Sequence, residues 1–329
     1  MTLAAAVPAL AAGLVSWLGT WRLIHALERG GVLDLPNQRS SHAVPTPRGG
    51  GIAVVGAVLL AWIAVLGMAG ALRQGSVVLL AALGLALMSW RDDRAGLPVA
   101  VRFAGHALAV AAALWSMPQA GALFDPWLPA WIGSAALALA WLWFVNLFNF
   151  MDGIDGLAGG EALSLGLGIA VVASIAGAGP ALDAMGALGA TVAAASLGFL
   201  VWNWHPARIF LGDVGSVPLG FLLGYLLLRL AEAGQWQAAL ILPLYFLADA
   251  TITLGLRLGR GERVWRAHRD HFYQRAVAGG MSHARVAALA LGCNAALIGC
   301  AALAAVGLGW AGLAGAAAAV AVTLWIMAR

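Results

Sequence analysis

Apolar runs of about 15 to 25 residues follow one another along the whole sequence, each about long enough to cross a ~30 Å hydrocarbon core as a helix. They fall near 2–27, 49–69, 75–90, 103–118, 130–148, 161–178, 181–202, 216–233, 236–256, 286–306 and 309–327. In hydrocarbon every backbone polar group must be satisfied within its own element, so runs of this length predict helices. The expected fold is all-α, a polytopic integral membrane helix bundle of about eleven transmembrane helices. With 62% hydrophobic and 10% charged residues and a mean hydropathy of +0.90, a soluble globular domain is excluded. The runs leave no room for a separate soluble domain, so residues 1–329 are expected to form a single membrane-embedded unit. The first run has no basic leader and no A-x-A site before a polar segment, and reads as a first span.

All eighteen basic residues are arginine, and the formal net charge is +4. Most of the arginines lie in 28–48, 91–102, 203–216 and 257–285 and at Arg329, whereas the alternate connections carry only Arg73 and, at a span end, Arg229. By the positive-inside rule the arginine-bearing segments face the cytoplasm, with the N-terminus outside and the C-terminus inside. The basic balance is therefore topological, and a nucleic-acid partner is not expected. Cys293 and Cys300 share one apolar run and read as packing residues.

The chemistry should then lie on the cytoplasmic face, where four polar segments interrupt the runs. In Asn146-Leu-Phe-Asn149-Phe-Met-Asp152-Gly-Ile-Asp155-Gly, four amides and carboxylates recur every three residues. If the preceding helix continues they share one broad face, and the glycines that follow allow close backbone approach to a phosphate or nucleotide. The segment Asp34 to Gly51 offers Arg39, His42 and Arg48 to an anionic group from a proline-stiffened loop. Asp92 and Asp93, adjacent at a membrane boundary, invite a divalent cation or a shared proton, with Arg91 and Arg94 as a plain neutralising alternative. Arg102 at a span entrance can snorkel or meet a phosphate. In Asn203-Trp-His-Pro206-Ala-Arg-Ile-Phe210-Leu-Gly-Asp213-Val-Gly-Ser216, Asp213 lies between glycines at a helix start, which suits a magnesium–phosphate complex.

Two further features carry chemistry. Asp249 lies inside the ninth run with Thr253 one turn later; an intramembrane carboxylate is costly, so it should face the bundle and serve either a site or a helix–helix hydrogen bond. In the most basic segment, 257–285, His268 and His271 can present two imidazoles to one diphosphate on a helical turn, with Arg266 and Arg269 near.

Together these segments resemble the polyprenyl-phosphate N-acetylhexosamine-1-phosphate transferase family across nearly the whole chain. Asp92-Asp93 is similar to its DD motif, Asn146 to Ala158 to its N-x-x-N-x-x-D-G-x-D-G-L-A motif, and Phe210-x-Gly-Asp213-x-Gly-Ser216 to its F-x-G-D-x-G-S motif. Two departures are visible: Gly96 stands where a third aspartate is frequent, and the usual H-x-H-H is reduced to His268-Arg-Asp-His271. The second, with Arg39-Ser-Ser-His42 and Arg48-Gly-Gly, resembles the bacterial subgroup that starts O-antigen or other surface-polysaccharide assembly, and argues against the peptidoglycan enzyme.

The resemblance implies a phosphotransferase of the bacterial inner membrane, with its N-terminus periplasmic and its active site on the cytoplasmic face. A UDP-N-acetylhexosamine would give its sugar 1-phosphate to undecaprenyl phosphate, yielding undecaprenyl-diphosphate-sugar and UMP. The sugar is left open among N-acetylglucosamine, N-acetylfucosamine and N-acetylquinovosamine. The implied cofactor is Mg²⁺, with Mn²⁺ as an alternative ion, held by Asp213 with Asn149. Asp92 or Asp93 would position or deprotonate the lipid phosphate. Asp152, Asp155 and Asn203 are candidates for the nucleotide side, Arg48, Arg102, His268 and His271 for phosphate contacts, and Asn146 and Asp249 for substrate binding. The bilayer is the other partner, and a homodimer is compatible with the pattern. A transporter would instead place its polar residues near mid-membrane, and a non-catalytic polyprenyl-lipid-binding protein would not need the whole acidic set.

Overall fold

The computed structural model describes residues 3–34, 44–117, 120–125, 127–177, 179–262 and 268–329. Arg39, His42 and Arg266 lie outside the described residues. Helices dominate what is described: α1 (Leu3–Arg29), α2 (Gly51–Met68), α3 (Leu72–Ala95), α4 (Val99–Trp115), α5 (Ala130–Phe150), α6 (Leu157–Ile175), α7 (Pro180–Asn203) and α8 (Asp213–Glu232). After them come α9 (Trp236–Ile241), α10 (Leu244–Gly259), α11 (Phe272–Ala278), α12 (His283–Ala305) and α13 (Gly309–Ala328). Two short strands, β1 (Leu33–Asp34) and β2 (Thr46–Pro47), pair antiparallel between α1 and α2. The protein is a polytopic all-α membrane protein. Among the described residues nine helices are long and apolar enough to cross a membrane: α1 to α3, α5 to α8, α12 and α13. The apolar α4 is shorter, at 17 residues.

Two expectations are corrected. The ninth apolar run is split at Leu242 and Pro243 into α9 and α10, because Pro243 has no N–H with which to continue the ladder of α9. The four-residue polar register is also halved. Helix α5 ends at Phe150, so Asn146 and Asn149 share a helix face while Asp152 and Asp155 belong to the loop that follows. The Phe150 carbonyl accepts from Tyr273 Oη of α11 at 3.0 Å, and the chain turns away through Gly156 at φ +76°, a backbone conformation that glycine adopts without a Cβ clash.

The most enclosed span is α8, with buried Phe221, Leu222, Leu223 and Leu226. On α5, Trp141 stacks on Phe221 with centroids 4.9 Å apart and donates its indole N–H to the Phe221 carbonyl at 3.0 Å. At its other end α8 crosses α2 with backbones in contact, since a Cβ on Gly51 would lie 2.2 Å from Gly215 Cα. Elsewhere α7 packs between α1 and α6, and α12 lies on α6 and α13. Alternating helix directions bring the ends of α3, α5 and α7 and the starts of α2, α4, α6, α8 and α12 to one end of the bundle, where the polar segments meet.

Candidate active site

The segment before α2 is stitched to the segment before α8. Gly49 and Gly50 donate to the Phe210 carbonyl at 3.1 and 2.9 Å, Gly51 donates to Leu211 at 2.9 Å, and Phe210 donates back to Pro47 at 2.8 Å. This seam sets Arg48 beside Asp213. One guanidinium nitrogen, Nη2, lies 2.8 Å from both Asp93 Oδ1 and Asp213 Oδ1. Burial pulls the Arg48 pKa down, but Asp93, Asp213, Asp34 and Asp152 outweigh it, and the pKa ends above its ordinary value.

The paired aspartates diverge. Asp93, whose side chain is only 2% exposed, also accepts from the backbone N–H groups of Asp213 and Val214 at 3.1 and 2.9 Å, so it caps the start of α8. Asp92 points the other way, accepting from the Leu97 N–H at 2.6 Å and facing Arg102 Nη1 at 3.2 Å. Arg102 also lies 3.9 Å from Asp213 Oδ2, which places the Asp213 carboxylate between two guanidinium groups.

These groups border a cavity of about 700 Å³ lined by Arg48, Asp92, Arg102, Asn146, Asn149, Asp213, His268 and His271. The remaining wall is largely apolar and includes Phe103, Leu139, Leu142, Trp143 and Phe150. Leu139 and Phe103 are 69% and 52% exposed, so this wall opens on the lipid-facing surface of the bundle. Three buried polar atoms of its lining residues, Arg102 Nε, His106 Nδ1 and Gln274 Oε1, have no hydrogen-bond partner among the described residues. Such atoms suit a polar ligand.

The oxygen-rich set at the floor fits a hard divalent cation. Asp213 offers its carboxylate, and Asn149 offers an amide oxygen that the Ser216 hydroxyl orients at 2.7 Å. Asn146, one turn earlier on α5, donates to the Leu142 carbonyl at 2.7 Å. His268 and His271 stack with centroids 4.9 Å apart, but in the extended lead-in to α11 and not on a helical turn. Burial, helped by His271 and Arg257, lowers the His268 pKa to about 4, so at neutral pH it meets a ligand as an uncharged imidazole.

Five expected site residues do not line the cavity: Asp93, which caps α8, and Asn203, Asp155, Asp249 and Asp152. Asn203 is buried and staples two loops, accepting from the Gly156 N–H at 3.0 Å and donating to the Ile209 carbonyl at 2.9 Å. Asp155 gathers His205, His283 and the Ala207 N–H. Burial pushes the Asp155 pKa up, but those partners hold it below the ordinary carboxylate value. Asp249 is fully buried on α10 and accepts from the N–H groups of Phe272 and Tyr273, at 3.0 and 3.2 Å, and sits 3.1 Å from His271 Nδ1. It therefore anchors α11 and orients His271. Asp152 lies within electrostatic reach of Arg48, Asp213 and Asp93, and burial raises its pKa to about 7 even though Arg48 opposes the shift.

Ser216, His106 and Gln274 are additions that sequence reading did not single out. Ser216 stands inside the quoted F-x-G-D-x-G-S segment, and its spacing from Asp213 puts it one turn into α8. His106, one turn after Arg102 on α4, is the kind of intramembrane polar residue that marks a site. Gln274 carries no such signal.

Comparison with known proteins gives a family and its relatives. Residues 76–231 match the family model "Glycosyl transferase family 4". The chain is 30% identical to the decaprenyl-phosphate N-acetylglucosaminephosphotransferase of Mycobacterium tuberculosis, over 85% of this chain and 78% of that one. It is 29% identical to a probable undecaprenyl-phosphate N-acetylglucosaminyl 1-phosphate transferase of Bacillus subtilis, over 77% and 72%. It is also 32% identical to the phospho-N-acetylmuramoyl-pentapeptide-transferase of Heliobacterium modesticaldum, over 69% and 74%.

Proposed function

Since the chain belongs to glycosyl transferase family 4, we propose that it transfers an N-acetylhexosamine 1-phosphate from a UDP-sugar to undecaprenyl phosphate, releasing UMP. We place this in the bacterial inner membrane as the first membrane step of O-antigen or a related envelope polysaccharide. The observation that carries the reading is the union, in one cavity, of two guanidinium groups around Asp213 with an apolar wall open to lipid. A phosphate on an isoprenoid chain needs both.

In this reaction an oxygen of the lipid phosphate attacks the sugar-bearing phosphorus, and the bond from that phosphorus to the UMP oxygen breaks. Both reactants are anions, so alignment and charge screening are the main tasks. Arg102 and Arg48 would receive phosphate oxygens while Asp92 fixes Arg102 in place. The acceptor phosphate has a second pKa near 6 and is already largely dianionic at pH 7, so Asp92 is assigned to positioning and not to proton removal. Asp93 is assigned to holding Arg48 and the start of α8. Mg²⁺ bound by Asp213 and Asn149 would supply Lewis-acid charge neutralisation to the diphosphate. His268 would offer a neutral hydrogen bond to the donor, with His271 stacked beside it.

The test is purified protein in detergent with undecaprenyl phosphate, Mg²⁺ and a panel of UDP-N-acetylhexosamines, following UMP and lipid-linked sugar. UDP-N-acetylglucosamine goes first, given the names of the relatives. Product with one donor, abolished by chelator and lowered about 100-fold or more in Asp213→Asn, supports the proposal. No product with any donor from folded protein and active acceptor refutes it.

A further inference from the structure

Outside the cavity, two segments far apart in sequence converge on a single carboxylate oxygen of a third. Asp155 Oδ2 lies 2.6 Å from His205 Nδ1, 3.3 Å from His283 Nδ1 and 3.2 Å from the Ala207 N–H. The two imidazole rings stand 5.2 Å apart at 55°, and one ligand atom from each of the three side chains falls within a 4.8 Å set. His283 is 6% exposed, and its Nδ1 has no hydrogen-bond partner among the described residues despite facing the carboxylate. Paired with the carboxylate at 3.3 Å but without an aligned hydrogen bond, that nitrogen is open to a better-placed partner.

We infer that Asp155, His205 and His283 form a second metal site, for a borderline d-block divalent cation such as Zn²⁺. Two imidazoles and one carboxylate match three-ligand zinc sites that leave a fourth position open. The donor set also separates this site from the oxygen-only set around Asp213, since imidazole suits Zn²⁺ and carboxylate with amide oxygen suits Mg²⁺. Tetrahedral ligation at about 2.0 to 2.1 Å spaces ligand atoms roughly 3.3 Å apart. The His283–Asp155 pair already stands at 3.3 Å, and His205 would withdraw by less than about 1 Å. Its side chain is 39% exposed, so it is free to do so and gives the ion a route in.

The surroundings are built to hold such a site. Ser282 caps α12 by accepting from the Arg285 N–H at 3.3 Å, which fixes His283 at the first helical position. Asn203 pins the loop of Asp155 to the segment that carries His205 and Ala207. A bound ion would therefore clamp the starts of α6 and α12 to the end of α7, beside the cavity but without sharing its ligands.

The experiment uses the full chain, purified in detergent without a polyhistidine tag and with millimolar Mg²⁺ to fill the oxygen site. Co²⁺ and Zn²⁺ are titrated into wild type, Asp213→Asn, His205→Ala and His283→Gln, and bound metal is measured by equilibrium dialysis and by the d–d absorption of Co²⁺. One equivalent retained in wild type and Asp213→Asn, weakened at least about tenfold in either histidine variant, is the expected result. Should His283→Gln fail to fold, the exposed His205→Ala decides alone. No bound equivalent in wild type, or unchanged affinity in His205→Ala, overturns the proposal and leaves the cluster as a hydrogen-bonded staple.

Discussion

Arg48 holds two carboxylates, Asp93 and Asp213, with one nitrogen, so an arriving phosphate competes with both for the same guanidinium. Lysine offers a compact charge without the planar fork. Arg48→Lys is expected to lower kcat about 10- to 100-fold while the protein still elutes as a folded species, read by UMP release and size exclusion. Asp152 makes a separate prediction through pH. Its folded pKa of about 7 lies above the ordinary 3.8, so the stabilisation it adds is complete below the ordinary value and is lost as pH rises through about 7. In chelator-containing buffer the Tm of wild type should fall over that window, and Asp152→Asn should flatten the fall. The sequence displayed every one of these residues but not their partners. Asp92 and Asp93 are the same residue type side by side, and only their opposite directions at the end of α3 separate a cavity residue from a helix cap. No local pattern relates Arg48 to a carboxylate 165 positions away.

At the scale of elements, the α2–α8 crossing places Arg48 beside Asp213. A Cβ on Gly51 would strike Gly215 backbone at 2.2 Å, and neither backbone can yield as a flexible side chain would. Gly51→Ala should cost about 1–3 kcal/mol of stability, seen as a lowered Tm, and should lower turnover because the same crossing seats Arg48 and Asp213. Span positions were largely legible from hydropathy, since length and apolarity alone determine which segments hydrocarbon accepts. The split at Pro243 was visible as a proline, although a window average over 236–256 hides it. The end of α5 was not legible, because Tyr273, more than a hundred residues downstream, takes the Phe150 carbonyl.

For the whole molecule the arginine distribution predicts which end faces the cytoplasm. With Cys293 and Cys300 replaced by Ala, cysteine at exposed Ala69 or Ala233, at the far ends of α2 and α8, should react with an impermeant thiol reagent on intact cells. Cysteine at Ala95, at the end where the polar segments meet, should react only after permeabilisation; the reverse pattern would invert the orientation. That all the polar segments share one end was readable from alternating spans, whereas their inward convergence on Asp213 required the packed helices. The seam between Gly49–Gly51 and Phe210–Leu211 also sets a timetable. A nascent chain must thread seven helices and keep an arginine waiting at the membrane surface until Asp213 has left the ribosome, so no shorter translation product can close the Arg48–Asp213 pair.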